Sequence, residues 1–105
     1  MNCSDYSMEL TPGGALRLAG NVDTYAAVPL HDELTRALRD QAALTVDLSE
    51  VVSCDFAAIQ LLCSARRSAE RAGKPFAVAS LSEGVLQTCA ALGVSPRSFG
   101  AAGSD

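Results

Sequence analysis

Tryptophan is absent from this 105-residue chain, and the other aromatics are few: three phenylalanines and two tyrosines. An interior built on large rings is thereby excluded, so aliphatic side chains and alanine must fill it. Hydrophobic residues at 49% against 19% charged give the balance of a folded chain rather than a disordered one. Basic residues are also scarce, eight Lys plus Arg against twelve Asp plus Glu. Neutralising a phosphate backbone needs cations gathered on one face, so a nucleic-acid surface is not expected. No stretch reaches the roughly 18 apolar residues that would span a bilayer. The opening MNCSDYSMEL has neither the basic region nor the apolar run of a signal peptide, and the expectation is a cytoplasmic protein that is not membrane-inserted. Cys3, Cys54, Cys63 and Cys89 form no C-x-x-C pair, and His31 is the single imidazole, which leaves no zinc spacing and no expected metal. Three of these cysteines sit inside apolar patterns and read as small buried hydrophobes in a reducing compartment.

What is present alternates between two periods. Tyr6 to Leu10 and Ala15 to Ala19, separated by Thr-Pro-Gly-Gly, read as two strands joined by a tight turn. A helix is expected over 29–40, with Pro29 in its first turn and Leu30, Leu34, Ala37 and Leu38 on one face. A strand over 43–48 precedes Ser49, Glu50 and Ser53, which read as turn residues. Asp55 then stands as the N-cap of a helix over 55–72, where Ala58, Leu62, Ala65, Ala69 and Ala72 form a stripe widened by Ile59 and Leu61. Gly73 ends that helix, and the strand 75–79 completes a β-α-β unit with parallel strands. Ser82 caps a last helix over 82–92, with Leu81 and Leu86 spaced as a hydrophobic staple and Val85, Leu86, Cys89 and Leu92 as its buried face. Length suits one domain, 1–105, with a core over 6–94 and a loose tail over 95–105 in which Phe99 is the large apolar residue.

No catalytic constellation emerges. Gly13-Gly14 lacks the spacing and the following Lys-Ser/Thr of a phosphate loop, and the acidic residues do not converge. His31, beside Asp32 and Glu33, has no Ser or Cys partner signature and reads as a solvated side chain. Arg66, Arg67, Arg71 and Lys74 form the basic cluster, without interleaved aromatics, and read as a solvated helix face near a C-terminus. No enzyme, and no cofactor, is expected. The strand-loop-helix stretch from Leu44 to Leu62 is the most informative part of the chain, because an exposed helix start flanked by loops is a surface that recognises another protein.

The same stretch carries a resemblance. A strand ending in D-L-S, a short loop and an Asp opening a helix of the form D-S-S-G-L resemble the STAS family, the anti-sigma-factor antagonist domains of bacteria. LRLAG followed by NVDT, and AGKPFAVASLSEGVLQTCAALGV, are similar to other parts of that family, and together the likeness covers about four fifths of the chain. It implies an α/β domain with a mixed four- to five-stranded sheet, helices packed mainly on one face, and a function of binding a protein partner. The partner would be an anti-sigma or kinase-type regulator. Alternatively it would be the transporter ATPase of a bacterial phospholipid-transport ABC complex, with this chain as its accessory STAS subunit. The contact region carried over is Asp55, Phe56, Ala57, Ala58 and Ile59, with Asp23 and Thr24 in the loop Asn21 to Tyr25 beside it. Phe56 either folds into the core or stands out as an interface anchor. Members that switch partners accept phosphate on the second Ser of D-S-S-G-L, where this chain has Ala57 and no hydroxyl; Ser53 and Ser64 are the nearest hydroxyls in sequence.

Overall fold

The computed structural model describes residues 6–100. Cys3 and the 101–105 part of the expected tail lie outside that range. Strand β1 (Tyr6–Leu10) turns through Pro12-Gly13-Gly14 into β2 (Ala15–Val22). The Thr11 N–H donates to the Ala15 carbonyl at 2.7 Å, and Gly14 holds a φ of 86° that a side chain would resist. A 3-10 turn, Thr24–Ala26, runs directly into α1 (Ala27–Asp40). The helix therefore opens before Pro29, whose missing N–H still falls in the first turn, where no intrahelical acceptor exists for it.

Strand β3 spans Leu44–Cys54, well past the end expected at residue 48. Its pairing with β2 explains the difference. Arg17 lies opposite Asp47 but Ala19 lies opposite Glu50, so β3 carries a bulge at Leu48 and Ser49, and a second irregularity follows at Gly20 and Asn21. The Asp47 carboxylate accepts from the Ser49 N–H at 2.9 Å, a turn-type interaction made inside a strand. The bulge also shifts the alternation, so that Leu44, Val46 and Leu48 are buried and the next buried residue is Val51.

Helix α2 (Phe56–Ala72) ends at Gly73, with φ 71°, and β4 (Phe76–Ala79) and α3 (Glu83–Leu92) follow. Both α1 and α2 are crossovers between parallel neighbours, and the sheet runs β1-β2-β3-β4 with β1 antiparallel to the rest. Leu16, Leu18, Val22, Leu44, Val46, Leu48, Val51 and Val78 are buried on the face that meets the helices. The alternate positions Arg17, Thr45, Asp47 and Ala77 face the other way. Ala58, Ile59, Leu62, Ala65 and Ala69 bring α2 onto the sheet, and Leu30, Leu34 and Ala37 do the same for α1. The Lys74 ammonium donates to the Leu38 carbonyl and, at 3.4 Å, to that of Arg39, which caps α1 with a cation.

Two expectations are corrected at the C-terminal end. Val85 and Cys89 are buried in α3, but Leu86 and Leu92 are 45% and 43% exposed. The helix meets β3 along Gly84, Val85, Thr88 and Cys89: Gly84 lies flush on the Val52 carbonyl, and the Thr88 hydroxyl reaches the Cys54 carbonyl at 3.1 Å. That contact line turns Leu86 and Leu92 to solvent. The expected loose tail is ordered over its first part, because Pro96–Phe99 form a 3-10 turn whose Phe99 is fully buried. Gly100 then accepts from the Val78 N–H at 3.1 Å, covering part of the β4 edge.

Candidate partner-binding surface

The join between β3 and α2 is held by Asp55. Its extended backbone and its carboxylate make it the N-cap of α2, with Oδ1 accepting from the Ala58 N–H at 3.3 Å. The other oxygen, Oδ2, accepts from the Thr24 hydroxyl at 2.8 Å. Asp23 caps the preceding 3-10 turn by accepting from the Tyr25 N–H at 3.0 Å. The Ser53 hydroxyl donates to Asn21 Oδ1 at 2.8 Å, and the Asp55 N–H to the Val22 carbonyl at 3.3 Å. The loop after β2 and the start of α2 are thus tied by side chains and backbone together. Thr24 and Asp55 are brought together by a hydrogen bond, and Asp23 precedes Thr24 as the cap of the 3-10 turn.

Around this junction the surface is apolar in a way that the interior does not require. Tyr25 is 87% exposed, Val28 71%, Val52 68% and Phe56 50%. Of the two readings of Phe56, the structure supports the exposed one. Ala58 and Ile59 are 3% and 2% exposed and belong to the core, so they shape the surface from beneath and cannot be touched by a partner. Ala57 is half-buried and lines an open groove of about 490 Å³ between α1 and α2, together with Val28, His31, Leu61 and Arg67. The sequence reading placed Tyr25 at the end of the loop expected beside the partner surface and passed over Val28. Their spacing of three residues on the turn entering α1, with no counterpart in that helix's buried stripe, is the signal that could have found them.

Among the described residues, no group of three or more His, Cys, Asp or Glu lies within reach of one metal ion. His31 is exposed, 3.7 Å from Asp32, on the rim of the groove. Burial pushes the Cys54 thiol up, against a hydrogen bond from Thr88 that lowers it, with Asp55 adding to the rise. Burial likewise raises Cys89, with Cys54 and Cys63 contributing. Cys89 is buried, but Cys54 and Cys63 are only half-buried, so the expectation of buried thiols holds fully for one of the three described cysteines. The hydroxyl brought to the cap of α2 is that of Thr24, from 31 positions upstream, a neighbour that distance along the chain conceals.

The family described as "Mlab, STAS domain" matches residues 9–96. The chain belongs to the STAS family. Its fold is that of solved antagonists: an anti-sigma factor antagonist from Mycobacterium paratuberculosis is 17% identical with a TM-score of 0.74, over 89% of this chain and 83% of that one. SpoIIAA, the Bacillus cell fate determinant in its phosphorylated form, is 13% identical with a TM-score of 0.63, over 87% and 86%. The structure of diguanylate cyclase SiaD in complex with its activator SiaC, from Pseudomonas aeruginosa, contributes a chain 19% identical with a TM-score of 0.52, over 71% and 68%. No curated protein matches the chain. STAS domains with this fold are typically non-catalytic. No helix among the described residues is long and apolar enough to cross a membrane.

Proposed function

We propose that this STAS domain is a cytoplasmic, non-enzymatic interaction module that binds a signalling regulator of the anti-sigma or kinase type through the surface centred on Asp55. The observation that carries the reading is the exposed trio Tyr25, Val28 and Phe56 set beside a cap whose carboxylate ties both loops together. Aromatic side chains at such a rim supply the desolvated anchors on which interface energy concentrates. With Ala57 at the position of the family's acceptor serine, the module binds without being switched there, since a methyl group takes no phosphate.

The test is affinity capture from the native host with the wild-type chain and with Phe56→Ser, each variant's melting temperature being measured alongside. A regulator retained by the wild type and lost by a stably folded Phe56→Ser supports the reading; equal retention removes Phe56 from the interface. The family description favours a second reading, the accessory subunit of a phospholipid-transport ABC complex. Recovery of a transporter ATPase and no regulator would establish that order of preference instead. Incubation with ATP and a kinase that acts on related antagonists, followed by phosphosite mapping, checks the switch: phosphate on Ser53 or Ser64 that abolished binding would show it relocated.

A further inference from the structure

Strand β1 is an edge of the sheet, and the hydrogen-bond parity of its pairing with β2 shows which backbone groups it leaves unused. Thr11 donates to Ala15, and the register runs Glu9 opposite Arg17 and Ser7 opposite Ala19, so these are the hydrogen-bonded pairs of an antiparallel ladder. The N–H and C=O groups of Tyr6, Met8 and Leu10 therefore point away from β2, and among the described residues β1 has no strand on that side. The side chains of the same three residues share a face with Leu16 and Leu18, the helix side of the sheet, where Leu10 is 39% exposed. Between this edge and α1 runs an open groove of about 580 Å³, lined by Tyr6 and Met8 below and by Val28, Asp32 and Arg36 along the helix.

We propose that this edge is a self-association surface, occupied by β1 of a second copy in antiparallel register about a two-fold axis at Met8. Three features of the chain select that occupant. Pairing Met8 with Met8 sets Tyr6 against Leu10 of the other copy, so every unused N–H and C=O of the strand meets its complement and the apolar side chains face one another. On the solvent side the same register sets Ser7 against Glu9 of the other copy, with no like charges opposed. Slipping it two residues one way would put Glu9 against Glu9, a pairing that costs energy, and slipping it the other way would set Leu10 opposite no residue of β1, which favours this register. The helix row beside the groove carries Asp32 and the pair Glu33–Arg36, 3.1 Å apart, so both signs of charge border the site on each copy. The product is one continuous sheet through both copies. Val28 lines both this groove and the one that holds Ala57, so the dimer surface and the proposed partner surface adjoin at that residue.

The test is sedimentation of the full-length chain across a concentration series, and it is independent of any partner. A reversible dimer is expected. Ser7→Lys should tighten it and Ser7→Glu weaken it, each by about fivefold for the two symmetric pairs, with both effects fading in high salt. Met8→Pro removes an outward N–H that β2 does not use, as proline on an edge strand does, and should leave a folded monomer. If Met8→Pro fails to fold, the opposed signs of the two Ser7 variants still decide. A chain monomeric up to about 1 mM overturns the proposal. So does a dimer that responds alike to lysine and glutamate at position 7, or one that a folded Met8→Pro leaves intact.

Discussion

The Thr24 hydroxyl donates to Asp55 Oδ2 at 2.8 Å while Oδ1 of the same carboxylate caps α2. One side chain thus sets the helix start and the loop beside it, and with them the relative position of Tyr25 and Phe56. Replacing Thr24 by Val keeps the β-branched shape and removes the donor. A hydrogen bond to a charged group, here at an exposed site, contributes on the order of 1 kcal/mol. The expected outcome is a melting temperature lowered by a few degrees at most and a larger loss of partner affinity, read by calorimetric titration against the recovered partner. An unchanged affinity would show that the tie has no part in presenting the surface.

Gly84 gives a prediction whose sign opposes helix propensity. It lies near the start of α3, where Ala is ordinarily better than Gly by up to about 1 kcal/mol. A Cβ there would run into the carbonyl oxygen of Val52, which is backbone and cannot swing aside. Gly84→Ala must therefore lift α3 from β3, breaking the contact of Thr88 with the Cys54 carbonyl, and overpacking of this kind costs roughly 1–3 kcal/mol. Chemical denaturation should show destabilisation. A neutral or stabilised variant would mean that α3 is free to shift on the sheet.

The caps at Asp55 and Ser82 and the stripe of α2 as far as Ala69 were legible in the sequence, because each depends on neighbours three or four positions away, whereas Ala72, at the helix end, is exposed and Leu61 only half-buried. The extension of β3 was not legible. Ser49 and Glu50 have turn chemistry, and here that chemistry closes a bulge through Asp47 instead of ending the strand. Exposure splits the stretch expected to meet a partner: Ile59 belongs to the α2 stripe and is buried, whereas Phe56, three positions earlier, lies in the capped first turn and is half exposed. Tyr25 was legible as the end of the loop Asn21 to Tyr25, but Val28 was not, because an apolar residue at a helix entry gives no sign by itself of which side the sheet will cover.

Asp47 links this bulge to pH. The Ser49 backbone N–H and then its side chain hold the Asp47 carboxyl below its usual value, with a smaller contribution from Arg17 at 3.8 Å, against some opposing burial. A depressed folded-state pKa means that the stabilisation is fully present above the unfolded value of about 3.9 and is lost as pH falls through the folded value. Asp47→Asn removes the titrating group. The gap in urea midpoint between wild type and variant should be constant from neutral pH to about pH 5 and narrow below about pH 4. A gap that held its size at pH 3 would show that Asp47 does not gain from ionisation in the fold.

Phe99 tests where the domain ends. Its ring is fully buried, beyond the last helix, in a segment of otherwise small and polar residues. Two structural consequences hang on it. It fills the space beside α2 that a chain ending at Val94 would leave open, and it holds Gly100 where that carbonyl can accept from Val78 on the β4 edge, with the backbone passing close over the Phe76 ring. Gly100 adopts φ 102°, a conformation that favours glycine, so the strap is shaped as well as anchored. Truncating a buried phenylalanine to alanine costs about 3–5 kcal/mol, a large share of the stability of a domain this small. Phe99→Ala should therefore lower the urea midpoint steeply and speed hydrogen exchange at the Val78 amide, whereas Phe56→Ser, at an exposed ring, should leave both nearly unchanged. The comparison separates an anchor from a passenger: if Phe99→Ala were as mild as Phe56→Ser, the segment over 95–100 would be resting on the fold rather than completing it.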